Sequence, residues 1–213
     1  MASAANILQR QFKELSRNPV PGFAVDLKED NIFEWEVALI GSPKTIYEGG
    51  YFKATMAFPV DYPFNPPTFR FNNTFYHPNV YPDGRLCISI LHPPGEDPVS
   101  GEKAEERWNP TQSVESVLVS IISLLADPNC SSPANVDVAY RKNREAFEAI
   151  VKKQVEDSKK DIPNGFRMPT SEQDFMPEPP SEMEEDDNFW YESGDDSDFG
   201  VDDYEDEDED EDD

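Results

Sequence analysis

Cysteine is scarce in this chain: 213 residues contain two, Cys87 and Cys130. Two thiols cannot staple a domain of this length, so a disulfide framework is excluded. Histidine is equally rare, at positions 77 and 92, and so scattered a set of His and Cys offers no metal constellation. Basic charge is also short, with 18 Lys and Arg against 45 Asp and Glu and a net charge of −27. Nucleic acid is a poor partner for such a chain, because phosphates require clustered cations. Long apolar runs are missing too. The longest, residues 117–126, is broken by Ser120 and Ser123 and is far short of a membrane span. No charged leader followed by an apolar core opens the sequence, so secretion is not expected. A reducing, intracellular compartment fits these absences, and there a free thiol can stay reactive.

What is abundant is acid, and it is unevenly placed. Residues 161–213 hold 24 acidic side chains against Arg167 alone, a net of −23, which leaves −4 for residues 1–160. The expected organisation is therefore a nearly balanced globular domain over 1–160 and a polyanionic segment over 161–213. The latter is rich in proline and has no hydrophobic periodicity. It cannot bury enough apolar area to offset its ordering entropy, so disorder in the free chain is expected. Basic protein surfaces are its natural target.

Residues 5–17 put Ile7, Leu8, Phe12 and Leu15 on one side of a helix and leave Arg10, Lys13 and Arg17 exposed. Asn18-Pro19 and Pro21-Gly22 end it. Alternation then predicts strands through Phe23–Leu27, Phe33–Leu39 and Phe52–Phe58, with a short fourth at Thr68–Phe71. The turns at 41–43 and 48–50 are too short for parallel crossovers, so the strands form an antiparallel meander. The proline-rich run 58–67 cannot be sheet interior. It reads as a stiff surface loop with Tyr62 tucked in and Phe64 either packed or presented outward. Residues 92–107 form a long acidic loop, which inside a compact domain is more often functional than idle. Residues 113–125 are a strongly apolar helix whose burial is the central packing event. Asn135 caps a short helix, and a last amphipathic helix at about 143–157 buries Phe147, Ile150 and Val151. The fold class is α+β: an N-terminal helix, four antiparallel strands, an irregular segment, then C-terminal helices.

That irregular segment, His77 to Leu91, holds Cys87. Asp83-Gly84 is a turn signal, since Gly takes positive φ without penalty. A thiol on a bend, eight residues after Asn79, is a plausible acyl-transfer site. Sulfur supplies the nucleophile, and the carboxamide supplies an uncharged N–H where an oxyanion would develop. The alternative on spacing alone is an inert buried cysteine.

Six motifs recur in one order across residues 6–157. They are Tyr47-Glu48-Gly49-Gly50-Tyr51-Phe52, Phe58-Pro59-Val60-Asp61-Tyr62-Pro63 with Pro66-Pro67, His77-Pro78-Asn79, Gly84-Arg85-Leu86-Cys87-Ile88, Trp108-Asn109-Pro110 and Leu124-Leu125-Ala126-Asp127-Pro128-Asn129. On these the chain resembles a ubiquitin-conjugating enzyme. Within that family the acidic loop, the acidic tail and the wording Cys87-Ile88-Ser89-Ile90-Leu91-His92-Pro93-Pro94 resemble the cell-division-cycle branch that works with cullin–RING ligases.

The resemblance implies a fold, partners and roles. Cys87 would take ubiquitin from an activating enzyme as a thioester and pass it to a lysine of a substrate or of another ubiquitin, building polyubiquitin for degradation. Asn79 would donate to the oxyanion or hold the active-site loop. Ser89 and Ser132 occupy gate positions where much of the family has acids. The loop is therefore expected to supply the carboxylates that orient the attacking lysine, from Glu96, Asp97, Glu102, Glu105 or Glu106. His77 would brace the backbone carrying Asn79, and His92 would brace the loop or make a pH-sensitive contact. Cys130, in a loop close to the thiol, is read as inert. Arg10, Lys13, Phe64 and Pro110 match positions where family members meet activating enzymes and RING domains. The tail would seek a basic groove on a cullin ligase. No cofactor is expected on the chain, because ATP is consumed upstream by the activating enzyme. The implied location is cytoplasm and nucleus. Two other classes remain: a non-catalytic acidic module on the same fold that captures basic proteins, and a thiol hydrolase.

Overall fold

The computed structural model describes residues 3–96, 101–131, 133–135, 143–169 and 171–175. The chain falls into two units, residues 1–177 and 178–213, and the second lies outside the described residues. In the first unit, α1 (Ala4–Arg17) precedes strands β1 (Phe23–Lys28), β2 (Asn31–Ile40), β3 (Tyr51–Ala57) and β4 (Thr68–Phe71), followed by α2 (Val114–Ala126) and α3 (Arg144–Ser158). The sheet is the expected antiparallel meander in the order β1-β2-β3-β4. The short helix expected after Asn135 lies outside the described residues.

Local chemistry explains the boundaries. Ser3 caps α1 by accepting from the Asn6 N–H, Ser113 caps α2 and Asn143 caps α3, each satisfying an otherwise orphaned donor. The β1–β2 connection turns on Glu29 and Asp30, both at positive φ (51° and 58°). Two such residues match the twist of a tight hairpin. Glu is an unusual choice there, so the sequence carries no turn signal at that point.

One cluster fills the space inside the sheet. Trp35 is fully buried, with Phe12 and Phe58 rings at 5.2 and 4.9 Å. Val114, Val117, Leu118, Ile121 and Leu125 supply the α2 side of the same core. Burying each such side chain contributes on the order of 1.5–3 kcal/mol. The proline loop is fixed by two hydrogen bonds, one to its backbone and one from a side chain. Trp108 Nε1 donates to the Pro63 carbonyl at 2.7 Å, and the Tyr62 hydroxyl donates to Gln11 Oε1 at 3.0 Å. Gln11 Oε1 also accepts from the Val114 N–H at 3.1 Å, so one side chain joins α1, the loop and the start of α2.

Two expectations are corrected. Ile150 was expected in the core but is 46 % exposed, because α3 buries Phe147, Val151, Val155 and Ser158, a face that passes one residue to its side. The domain boundary expected at residue 160 is not where packing stops. Ile162, Phe166, Met168 and Phe175 lie against Ala38, Ile40 and Tyr51 on the outer face of the sheet. The Phe166 ring meets Tyr51 edge-on at 5.3 Å, Ser158 Oγ accepts from the Tyr51 N–H at 3.0 Å, and Lys44 pairs with Glu172. This strap explains why both faces of β2 are buried from Val37 to Ile40. Four well-spaced apolar residues were diluted by the acids around them.

Candidate active site

The segment after β4 is irregular, yet its backbone is tightly held. Val80 bridges to Leu86 and Arg70 to Arg85, so the chain doubles back through Tyr81–Arg85. Gly84 makes the bend at φ +87°, its N–H donating to the Tyr81 carbonyl at 2.9 Å. A Cβ there would also lie 2.4 Å from the Phe71 carbonyl oxygen, so both conformation and space demand glycine. The Cys87 N–H donates to the Asn79 carbonyl at 2.9 Å, which sets thiol and carboxamide side by side in the backbone.

Asn79 is almost fully buried, and its carboxamide is engaged at both ends. Nδ2 donates to the Asn129 carbonyl and Oδ1 accepts from the Asn129 N–H, each at 2.9 Å. Its own N–H donates to His77 Nδ1 at 2.9 Å. His77 is completely buried, and burial pushes its imidazole down to about 4, so it is neutral, with Nδ1 accepting and the proton on Nε2. The clamp holds the loop carrying Asn129 and Cys130 against the segment carrying Cys87.

The half-buried Cys87 thiol has two side-chain neighbours among the described residues. The Tyr81 hydroxyl donates to Sγ at 3.7 Å, and His92 Nε2 stands 4.0 Å from it. The hydrogen bond to Cys87 and the charge of its thiolate push the Tyr81 phenol above its ordinary value. His92 Nδ1 is 2.8 Å from Glu102 Oε2. A carboxylate only accepts, so Nδ1 carries the proton and a neutral ring turns its lone pair toward sulfur. Ser89 Oγ donates to the other oxygen, Glu102 Oε1, at 3.0 Å, and Arg107 Nη1 lies 3.6 Å from Oε2. Sulfur, imidazole and carboxylate therefore follow one another in space, at 4.0 Å and then 2.8 Å.

Of the loop acids, Glu102 is the one among the described residues that reaches this cluster. Glu106 accepts from the Lys103 N–H within its own turn and Glu105 pairs loosely with Lys103, while Glu96 is exposed. Asp97 and Ser132 lie outside the described residues. Arg10 and Lys13 are exposed on α1, Phe64 is 60 % exposed and Pro110 is exposed. Phe64 and Pro110 sit on segments joined by the Trp108–Pro63 hydrogen bond. Sequence reasoning missed Tyr81, Arg107 and Asn129. Tyr81 comes near the sulfur only because the bend folds its arm back, and Asn129 answers Asn79 across 50 residues. Among the described residues no group of three His, Cys, Asp or Glu side chains could hold a metal ion.

Comparison with known proteins agrees with this geometry. The family model for ubiquitin-conjugating enzyme matches residues 7–155. The chain is 53 % identical over 203 residues to ubiquitin-conjugating enzyme E2-34 kDa of Saccharomyces cerevisiae, covering 90 % of this chain and 68 % of that one. It is 54 % identical over 160 residues to ubiquitin-conjugating enzyme E2 13 of Arabidopsis thaliana, covering 74 % and 96 %. To ubiquitin-conjugating enzyme E2 15 of Schizosaccharomyces pombe it is 49 % identical over 157 residues, covering 72 % and 94 %. With a matching family model over more than half of its length, the chain belongs to the ubiquitin-conjugating enzyme family and is a ubiquitin transferase, with ubiquitin and the activating enzyme as the partners this entails.

Proposed function

We propose that Cys87 accepts ubiquitin as a thioester and that the acidic loop serves the second half of the reaction, attack by a lysine. The observation that carries this reading is Glu102, which bonds both Ser89 and the His92 ring beside the sulfur. A lysine near neutral pH is almost wholly protonated, with a reference pKa of about 10.4. The Glu102 carboxylate orients the ammonium, and His92, turned by that carboxylate, receives its proton as the amine attacks the thioester carbon. The Cys87 sulfur departs as thiolate, to which Tyr81 donates. Asn79 acts first as a positioning residue, and Nδ2 is the donor nearest in kind to what an oxyanion requires.

Chain building with a cullin–RING ligase is the reading that the loop and tail support. The similarity to E2-34 kDa covers 90 % of this chain and so runs past residue 161 into the acidic part. The tail would be drawn to a basic groove, while Arg10, Lys13, Phe64 and Pro110 meet the activating enzyme and RING domain.

One reaction mixture tests the first step: activating enzyme, ATP, ubiquitin and this protein, run with and without reductant. A reductant-labile adduct on the wild type and none on Cys87→Ala is expected; an adduct on the alanine variant overturns the assignment. The Cys–His–Glu order also suits a hydrolase, which would turn over acyl substrates without activating enzyme or ATP. For the loop, Glu102→Gln is expected to keep charging and to slow discharge onto ubiquitin by about 10²-fold, the scale of general acid–base catalysis. Unchanged discharge removes the loop from the chemistry.

A further inference from the structure

A cleft of about 410 Å³ lies between α3, β3, β4 and the segment that follows β4. None of the residues that touch the thiol lines it. Its volume falls within the range of small-molecule sites, about 300–1,000 Å³. The buried rings of Phe52, Phe71 and Phe75 form an apolar floor, and the half-exposed Ile150 stands at the mouth. This position accounts for a large aliphatic side chain that the core does not use.

Two polar features give the cleft a preference. Lys53, Lys153 and Lys160 line it, and none of the three pairs with a carboxylate among the described residues. Asp157 and Asp161 line it as well, which leaves the lining at a net charge of +1, and Asp161 also accepts from Asn73 Nδ2 at 3.3 Å. Three cations gathered on a chain of net charge −27 run against its overall balance. Second, Gln154 Oε1 accepts from the Tyr76 N–H at 2.6 Å, which fixes the carboxamide, while Gln154 Nε2 is buried with no hydrogen-bond partner among the described residues. A buried N–H donor without an acceptor is rare and costly, and an acceptor atom entering the cleft would relieve it.

We propose that this cleft is a binding site for a small organic anion with an apolar body. The body lies on the phenylalanine floor beneath Ile150, and the anionic head takes the Gln154 N–H and the field of the lysines. The reading does not depend on the thioester chemistry of Cys87.

A naphthalenesulfonate serves as the probe, titrated into the full-length isotope-labelled protein and followed by amide NMR. Its neutral hydroxymethyl analogue and inorganic sulfate are run beside it. Saturable shifts are expected at the amides of Asn73–Tyr76 and at the Gln154 side-chain NH₂, with each control binding about tenfold or more weaker, the scale of one charge-assisted contact. The double variant K153E/K160E is expected to weaken sulfonate binding by at least about tenfold while leaving Tm and ubiquitin charging unchanged. Equal binding of the neutral analogue, binding reproduced by sulfate alone, shifts absent from these residues, or undiminished binding by the double variant would each overturn the proposal.

Discussion

Asn79 is almost fully buried and hydrogen-bonds the backbone of Asn129 through both ends of its carboxamide. Asn79→Ala is therefore expected to destabilise the fold by about 1–3 kcal/mol, as unsatisfied buried groups do, besides slowing transfer. Chemical denaturation separates the two effects, because a purely catalytic donor would leave stability unchanged. His77 gives a pH dependence whose sign is fixed by its burial. Its folded pKa of about 4 lies below the ordinary 6.5, so the unfolded chain binds the proton more readily between these values. The stability due to neutral His77 is complete above about pH 6.5 and is lost as pH falls toward 4, by up to roughly 3 kcal/mol. Urea midpoints at pH 7 and pH 4.5 should fall further apart for the wild type than for His77→Asn. At this scale the motif picks out Cys87, Asn79 and His77, and the fold brings the three together. Glu102 could not be told from its four neighbouring acids, since its reach depends on how the loop folds back over His92.

At the scale of elements, the sheet has two faces and only one was legible. Alternation marks Trp35, Val37 and Leu39 as inward, but it leaves Ala38 and Ile40 apparently exposed until the strap from Ile162 to Phe175 covers them. Phe166 is half-buried, so Phe166→Ala should cost about 2 kcal/mol, roughly half the loss from a fully buried ring. Tm is expected to drop by about 4–8 °C, whereas truncation after Pro177 should leave it unchanged. If truncation after Lys160 is equally silent, the strap contributes nothing. The bend below Cys87 carries a sharper demand. Gly84→Ala adds a Cβ 2.4 Å from the Phe71 carbonyl at a φ that disfavours it, and should lower both Tm and charging. The helices and strands were predictable because their apolar periods are long and clean. The Glu29-Asp30 turn was not, since its residues are held at positive φ by the strands they join.

Across the whole molecule, charge is divided rather than balanced. Residues 178–213 carry 21 acids and no Lys or Arg, a reservoir of long-range attraction for a basic partner. In the proposed cullin–RING reaction, removing them should lower the association rate by about 10–10³-fold at low salt and flatten its salt dependence. Stopped-flow binding at several ionic strengths reads both; a rate insensitive to truncation would leave the tail without a kinetic role.

The sequence by itself determined the family, the meander, the thiol and the division of charge. All of these reside in residue identity, local period and spacing, which survive without coordinates. Tertiary structure alone decided which acid reaches His92, what answers Asn79, that packing runs on past residue 160 and that α3 leaves a lysine-rimmed cleft. Each of those depends on groups up to about a hundred residues apart, such as Tyr51 and Ser158, meeting at hydrogen-bond distance. No local pattern encodes such a meeting, because the free energy that fixes it belongs to the packed whole rather than to either segment.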